Sequence, residues 1–581
     1  MKLFALALDY DGTIASNDRL DPQVRDAIAV ARTRGIAVLL VTGRILDELR
    51  RVAGELHFVD AVIAENGAVL HFPESNHTRL LAPGIPRAFA AALTERGIDF
   101  RVGHSLLDAD ANAAPQLLEI IRNLELPLVL AFNKGRVMTT LQGVNKGTGL
   151  HAALDTLRLS ARNTVAIGDA ENDHELLRLA EVGVAVPWGS ASLRAVADAV
   201  IPGEGTAAVA SYVRALAASG RLPADAHRRK LLLGHTEDGH ELWLTARGRN
   251  VLIAGDTKSG KSWVAGLLVE QLILHGYSVC VLDPEGDYRS LEALPGVTLL
   301  GGDEPPPTPR QLERALRYPD RSAVIDLSRL SQDDKITYIR AALPALNAMR
   351  RHLGLPHRIV VDEAHYFLHD PHGEPLLDLE RNGYTVVTYC ASKLPRSLLD
   401  ATEVIIVTCE SNPAELAALR RCAGRAETIE FAEYEALRHL RPGQAATLPG
   451  TEESGGHIRL FNVASRLTPH VRHRQKYVDV PVSDARAFVF EGPGPVRRAR
   501  TLREFVAHVE RVAWKQLDGH VQRGDFSRWI RDVFGDHALA ADLRFIEARH
   551  RSSPGAETIE QIADAVRSRY ELTEESLSAA S

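Results

Sequence analysis

Two stretches of this chain carry residue types at spacings suited to phosphoryl chemistry. The first is Asp9-Tyr10-Asp11-Gly12-Thr13, directly after an apolar run at 3–8. Two carboxylates two positions apart at a strand end can face one ligand if the chain turns there, and Gly12 permits the turn. Asp9 suits a nucleophile toward phosphorus. Asp11 suits an acid that protonates the leaving oxygen and later takes a proton from water. Thr42-Gly43-Arg44 follows the apolar run 37–41 and offers a hydroxyl and backbone N–H groups to phosphoryl oxygens. Lys146 offers a cation to neutralise the transferred group. Asp169 and Asp173 follow the run 164–167; with Asp9, and Asp11 beside it, they supply hard oxygen ligands for Mg2+.

The second stretch is Gly255-Asp256-Thr257-Lys258-Ser259-Gly260-Lys261-Ser262, which fits the phosphate-cradling pattern G-x-x-x-x-G-K-[ST]. Its backbone N–H groups would wrap the phosphates of ATP, with Lys261 on the β/γ-phosphates and Ser262 on Mg2+. Asp362-Glu363-Ala364-His365 ends a later apolar run. Asp362 suits the surroundings of Mg2+, and Glu363 suits a base polarising the attacking water. That adjacent Glu favours ATP hydrolysis over transfer to a small acceptor.

Positioning these residues takes two successive βα series. In residues 1–220 the apolar runs 3–8, 37–41, 61–63 and 164–167 predict buried parallel strands, with helices at 22–34 and 172–180. Each phosphoryl motif then falls at the carboxyl end of a strand, where open α/β sheets bind ligands. The polar stretch 219–225 reads as a linker. A hairpin at 231–244 and strands at 251–254, 278–283, 323–327, 359–362, 385–389 and 404–408 form the second series, within 229–470. Residues 485–581 open with a short apolar run and continue with helical periodicity, and the aromatics Phe505, Trp514, Phe526 and Trp529 are spaced for helix packing.

Residues 1 to about 215 resemble the haloacid-dehalogenase superfamily, in its Cof-like branch. The motifs at Asp9–Thr13, Thr42–Arg44, Lys146 and Gly168–Asp173 carry the resemblance, with Glu65-Asn66-Gly67-Ala68 as a further element. It implies an aspartyl-phosphate on Asp9, Asp11 as acid/base, Thr42 and Lys146 on the phosphoryl group, and Asp169 and Asp173 placing Mg2+. It also implies a Rossmann-like domain with a small cap at about 70–140, most like phosphoglycolate- or sugar-phosphate phosphatases. Residues 229–470 resemble the HerA/FtsK-like translocase ATPases through the P-loop, the hairpin before it, Leu282–Tyr288, Ala323–Ser328 and Asp362–His365. This implies a RecA-like additional-strand core acting as a hexameric, DNA-dependent motor. The family's fuller β-barrel is reduced to a hairpin here. Its sensor glutamine is missing from Thr388–Lys393, where Ser392 or Lys393 substitutes. Arg396, Arg420, Arg421 and Arg425 are arginine-finger candidates by position.

Composition bounds these readings. The chain has 581 residues, 45% apolar and 25% charged, with net charge -7. That is globular and multidomain, and not basic enough for a dedicated nucleic-acid stripe. Short basic clusters at Arg497-Arg498-x-Arg500 and Arg472-His473-Arg474-x-Lys476 remain. Four cysteines exclude a disulfide scaffold. No apolar run approaches the roughly 18–20 residues that span a bilayer, so a cytoplasmic protein without a membrane partner is expected. The expected function is a Mg2+-dependent phosphatase fused to an oligomeric, DNA-associated HerA-like ATPase with a helical tail. A nucleic-acid end kinase–phosphatase is one alternative, and an ATP-gated assembly or regulatory switch controlling the phosphatase is another.

Overall fold

The apolar run at the start of the chain forms, in the computed structural model, the strand Ala5–Asp9, buried at every position. The described residues are all but 134, 225–227, 370–374, 423–430, 449–456, 470–480, 483, 492–496, 535, 553 and 571–581. Ala5–Asp9 lies between the parallel strands Ala37–Val41 and Thr164–Gly168 in an eight-stranded sheet. Ala61–Ala64, Val69–Phe72 and His77–Leu80 continue the sheet on one side, Val182–Ala185 and Ala199–Val200 on the other. Connections leave Ala5–Asp9 in both directions, so its carboxyl end is the switch point where such sheets bind ligands. The strands are apolar throughout because both faces are covered. Helices Pro22–Thr33 and Gly205–Ser219 pack on one face, Lys146–Leu157 and His174–Leu179 on the other.

A separate four-stranded antiparallel sheet runs Leu128–Asn133, Arg136–Leu141, Leu107–Asp110, Phe100–Val102, and helices Arg87–Glu95 and Ala114–Asn123 bury their apolar faces against it. This layer starts later than the insert expected from about 70. Val69–Phe72 and His77–Leu80 instead pair antiparallel onto Ala61–Ala64 and extend the first sheet. Nothing in the local pattern of 69–80 distinguishes pairing with one sheet from pairing with the other.

The second sheet has eleven strands. Tyr384–Thr388 is inserted between the P-loop strand Val251–Ala254 and Arg358–Val361, the strand that ends in Asp362. That insertion defines the additional-strand arrangement. Val279–Asp283, Ser322–Asp326 and Val297–Gly301 follow on one side. On the other side Val404–Val407 leads to the antiparallel strands Gln444–Leu448 and Arg459–Val463, and these receive the hairpin Lys230–His235/Glu241–Thr245. The hairpin therefore extends the main sheet. Three strands were not expected from sequence: Val297–Gly301 is a half-buried edge, and Gln444–Leu448 and Arg459–Val463 carry weak apolar patterns.

The described part of 219–225 is not a free linker. Arg221 bridges to Lys2, Leu222 is buried, and the Arg247 guanidinium donates to the Pro223 carbonyl. Alongside it, the buried Glu181 carboxylate accepts from Tyr277 Oη at 2.8 Å and pairs with Arg162 at 3.3 Å, Arg229 at 3.2 Å and Arg247 at 3.6 Å. His357 shares a hydrogen bond with Asn163 at 3.0 Å. Both sheets' flanking elements thus contribute to one polar junction.

At the carboxyl end, the ribbon Phe488–Phe490/Arg497–Ala499 and the helices Leu502–Arg511, Trp514–Arg523, Asp525–Trp529, His537–Ser552 and Glu557–Tyr570 enclose a core. Phe505, Phe526 and Trp529 are buried in it, with Trp514 packed against it. Among the described residues no helix is long and apolar enough to cross a membrane. Arg425 and the cluster Arg472, His473, Arg474 and Lys476 lie outside the described residues.

Candidate functional site

Asp9 is the last residue of its strand and pairs in register with Val41, one residue before Thr42. Lys146 opens the helix Lys146–Leu157, which the Asn145 side chain caps by accepting from the Thr148 N–H. Its approach needs Gly67: φ is +102° there, and a Cβ would meet the Asn145 carbonyl at 2.0 Å. The Lys146 ammonium donates to Asp9 Oδ1 at 2.6 Å and to Asp173 Oδ1 at 2.5 Å, all three side chains being buried. Asp173 Oδ2 accepts from the N–H groups of Asp169 and Ala170.

Two carboxylates therefore meet one ammonium, with a third, that of Asp169, beside them. Burial pushes the Asp9 carboxyl up, and Asp173 adds to this against the pull of Lys146. Burial alone would lower Lys146, but Asp173 and Asp9 outweigh it and hold the ammonium charged. Carboxylate oxygens of Asp9, Asp169 and Asp173 lie within 4.8 Å of one another, and Asp9 Oδ2 is buried without a hydrogen-bond partner. This all-oxygen donor set fits a hard divalent cation.

Asp11 is placed differently. Its carboxylate is gripped by the Arg44 guanidinium, at 2.7 Å to Oδ2 and 2.5 Å to Oδ1, and Arg44 also pairs with Asp18. Asp11 is expected among the metal ligands, but the buried cluster is formed by Asp9, Asp169 and Asp173, and the Asp11 carboxylate is instead held by Arg44, which follows the neighbouring strand Ala37–Val41. Thr42 is fully buried, and its Oγ1 accepts from the Arg44 N–H at 3.1 Å. The four-stranded layer closes over this point. Ile45 packs with Leu106 and Met138, and the buried Glu65 carboxylate accepts from the N–H groups of His104 and Ser105.

In the second site, the P-loop joins the strand Val251–Ala254 to the helix Lys261–Leu274, with Gly255 at φ +148° and Gly260 at φ +105°. Lys261 Nζ donates to the Asp256 carbonyl at 2.8 Å and Ser259 Oγ does so at 2.7 Å, and Thr257 follows Asp256 in the loop. Ser262 Oγ donates to Asp287 at 2.8 Å. Asp283, buried beside Asp287 and Asp362, accepts from the N–H groups of Gly286, Asp287 and Tyr288; burial and then Asp287 push its carboxyl up. Asp362 Oδ1 accepts from the Glu363 N–H. Glu363 is buried at φ +48°, a left-handed conformation that costs a non-glycine residue energy and is typical of functional sites. Its Oε2 lies 3.8 Å from His365, which is hydrogen-bonded to Thr388.

The carboxyl-terminal helices reach this loop. The Lys258 ammonium sits 3.6 Å from the centre of the Phe534 ring. Burial pulls Lys258 down to about 6, with Arg486 adding repulsion, while the ring face favours the charge.

Residues 6–111 and 93–213 match the family of haloacid dehalogenase-like hydrolases, and 246–436 match the central domain of helicase HerA. A phosphoglycolate phosphatase of Methanothermobacter thermautotrophicus is 32% identical over 221 residues, covering 36% of this chain and 97% of the relative. The chain belongs to the haloacid dehalogenase-like hydrolases. A phosphoglycolate phosphatase of Natronomonas pharaonis is 31% identical over 34% of this chain and 89% of its own length. A haloacid dehalogenase-like hydrolase structure from B. subtilis aligns with 37% of this chain and all of its own, at 18% identity and TM-score 0.33.

The haloacid dehalogenase-like unit thus brings together Asp9, Lys146, Asp169 and Asp173, with Thr42 at the adjoining strand end, and leaves Asp11 on Arg44. The HerA-like unit brings Lys261, Ser262, Asp362 and Glu363 to one end of its sheet. Ser392, one of the two sensor substitutes, donates its N–H and hydroxyl to Glu415, and Thr388 ends that strand. Arg396 is paired with Asp400 on the surface, and Arg420 lies over Tyr434. Sequence reasoning gave no role to Asp287 or Arg44, although both stand in motifs it quoted. Glu410, pushed up to about 8 by burial with Asp256 facing it, had no sequence signal.

Proposed function

We propose that this chain is a bifunctional hydrolase, a Mg2+-dependent phosphomonoesterase fused to a HerA-like ATPase that works as an oligomeric motor on DNA. The observation that carries the first half is the buried Lys146 bridge between Asp9 and Asp173 beneath the four-stranded cap. An Asp9 oxygen attacks phosphorus, forming the aspartyl-phosphate as the ester P–O bond breaks. Asp11, once released from Arg44, gives the leaving oxygen its proton. It then takes a proton from the water that attacks phosphorus, returning the Asp9 carboxylate and orthophosphate. Thr42 and neighbouring N–H groups hold the phosphoryl oxygens, and Lys146 offsets their charge. Bound between Asp9, Asp169 and Asp173, Mg2+ would supply further neutralisation of the phosphoryl group. The names of the relatives make 2-phosphoglycolate the first substrate to try.

In the second half, Lys261 leaves the Asp256 carbonyl for the β/γ-phosphates of ATP, Ser262, Asp362 and Asp287 would hold Mg2+, which would offset the phosphate charge, and Glu363 orients the attacking water. By likeness to HerA the working form is a ring, and the few free cysteines suit a reducing cytoplasm. ATP hydrolysis with and without duplex DNA tests this. Turnover is expected to rise with DNA and to fall by on the order of 10²–10⁴ in Glu363→Gln, with Lys261→Ala equally inactive. Hydrolysis indifferent to DNA would remove the motor reading.

A second reading, ATP control of the phosphatase, is favoured by the shared Glu181 junction. It predicts that ATP alters phosphatase KM or kcat in the unaltered chain and not in Lys261→Ala. Equal responses in both would sink it.

A further inference from the structure

Where the two units meet, a cavity of about 290 Å³ is lined by Lys2 and Arg221 from the first and by Arg350, His357 and Arg381 from the second. We propose that this cavity binds a small phosphate-bearing anion, a ligand site separate from both active sites.

Charge balance is the first reason. Four cationic side chains line the cavity against one acidic one, Glu380. Arg221 reaches the carbonyl of Glu380 at 3.3 Å. Asp378, nearby, is shared between Arg351 at 3.1 Å and Arg381 at 3.4 Å. Glu181 is already committed to Arg162, Arg229 and Arg247. The helix Gln332–Leu353 ends beside the cavity and contributes about half a negative charge, which a single cation offsets. His357 adds no charge, since burial pulls it down to about 3. The surplus shows in Lys2, whose ammonium is lowered by burial and then by Arg381. A dianion is the species that such a surplus attracts.

Arg350 is the second reason. Its guanidinium is almost wholly buried and stacks on the Tyr384 ring, and its Nη2 donates to the carbonyls of Arg381 at 3.2 Å and Asn382 at 2.6 Å. Among the cations at the cavity, a guanidinium fork is the group whose geometry best fits phosphate oxygens. The volume lies at the small end of ligand cavities, suited to orthophosphate, a small phosphomonoester or the phosphate end of a nucleotide. Bound there, the anion ties Lys2 and Arg221 of the phosphatase unit to Arg350 and Arg381 of the ATPase unit.

Equilibrium dialysis of radiolabelled orthophosphate against the full chain, without divalent cations, tests this. The chain carries Thr42→Ala and Lys261→Ala to weaken phosphate binding at the two active sites. One equivalent is expected to bind. Adding Arg221→Ala and Arg381→Ala, both at the cavity rim, is expected to weaken it at least tenfold. If that fourfold variant fails to fold, Arg221→Glu alone, on an exposed residue, serves the same comparison. Competition by ADP would identify the ligand as a nucleotide's phosphates, and failure to compete as a small phosphate. No bound equivalent in the Thr42→Ala/Lys261→Ala chain overturns the proposal, as does unchanged affinity after the rim substitutions.

Discussion

Asp9→Asn is expected to lower phosphomonoester turnover by on the order of 10⁴-fold or more, the scale seen when a nucleophile is removed from a covalent mechanism. ATP turnover at the P-loop should stay within twofold. Asn keeps the shape of Asp9 and an oxygen for the Lys146 ammonium, but it has no charged oxygen to attack phosphorus. Stability should move the other way. Asp9, Asp169 and Asp173 crowd three buried carboxylates together, and the one ammonium, Lys146, bonds to two of them. Neutralising one relieves like-charge repulsion and burial of charge, as functional sites that sacrifice stability commonly show. The melting temperature without divalent cations is therefore expected at or above that of the unaltered chain. Turnover within tenfold of the original would remove Asp9 as nucleophile. Lost turnover together with a fallen melting temperature would instead mean that the substitution had broken the site's structure.

Glu181→Gln is the substitution expected to cost most stability. One buried carboxylate serves Arg162, Arg229, Arg247 and Tyr277. The amide leaves buried guanidinium groups without their counter-charge, a loss of about 3–5 kcal/mol by the usual scale for breaking one side of a buried ion pair. Arg162 comes from the phosphatase unit and Arg247 from the ATPase unit, so the loss should fall on their junction. Calorimetry is expected to show an earlier transition, and proteolysis a faster cut near 219–229. A single transition unchanged within a degree would mean that the cluster is solvated and contributes little. Replacing Arg162 by Met in the same chain should recover part of the loss, because it removes one of the stranded charges.

Both predictions depend on arrangements of different legibility. The phosphoryl motifs were readable because the chemistry is local. Asp9, Thr42 and Asp169 each follow an apolar run, and an apolar run that ends in a turn residue becomes a buried strand with its motif at the carboxyl end. The P-loop was readable for the same reason, since Gly255 and Gly260 are needed at positive φ wherever the pattern occurs. The helical packing of Phe505, Phe526 and Trp529 followed from their spacing.

Relations between segments were not local, and only the tertiary structure decided them. Pairing Val69–Phe72 with the first sheet, or Arg459–Val463 with the hairpin, depends on which edge is open once the other strands are in place. Asp11 faces Arg44 rather than the metal cluster because the Thr42–Arg44 loop folds beside it. Asp287 reaches Ser262 because the backbone N–H groups around Asp283 curl that turn toward the P-loop. Phe534 lies on Lys258, and Arg350 faces Lys2 and Arg221 across a cavity, because distant surfaces of complementary shape meet. A sequence pattern records the burial of each residue; which partners do the burying is set by the free energy of the whole packed chain.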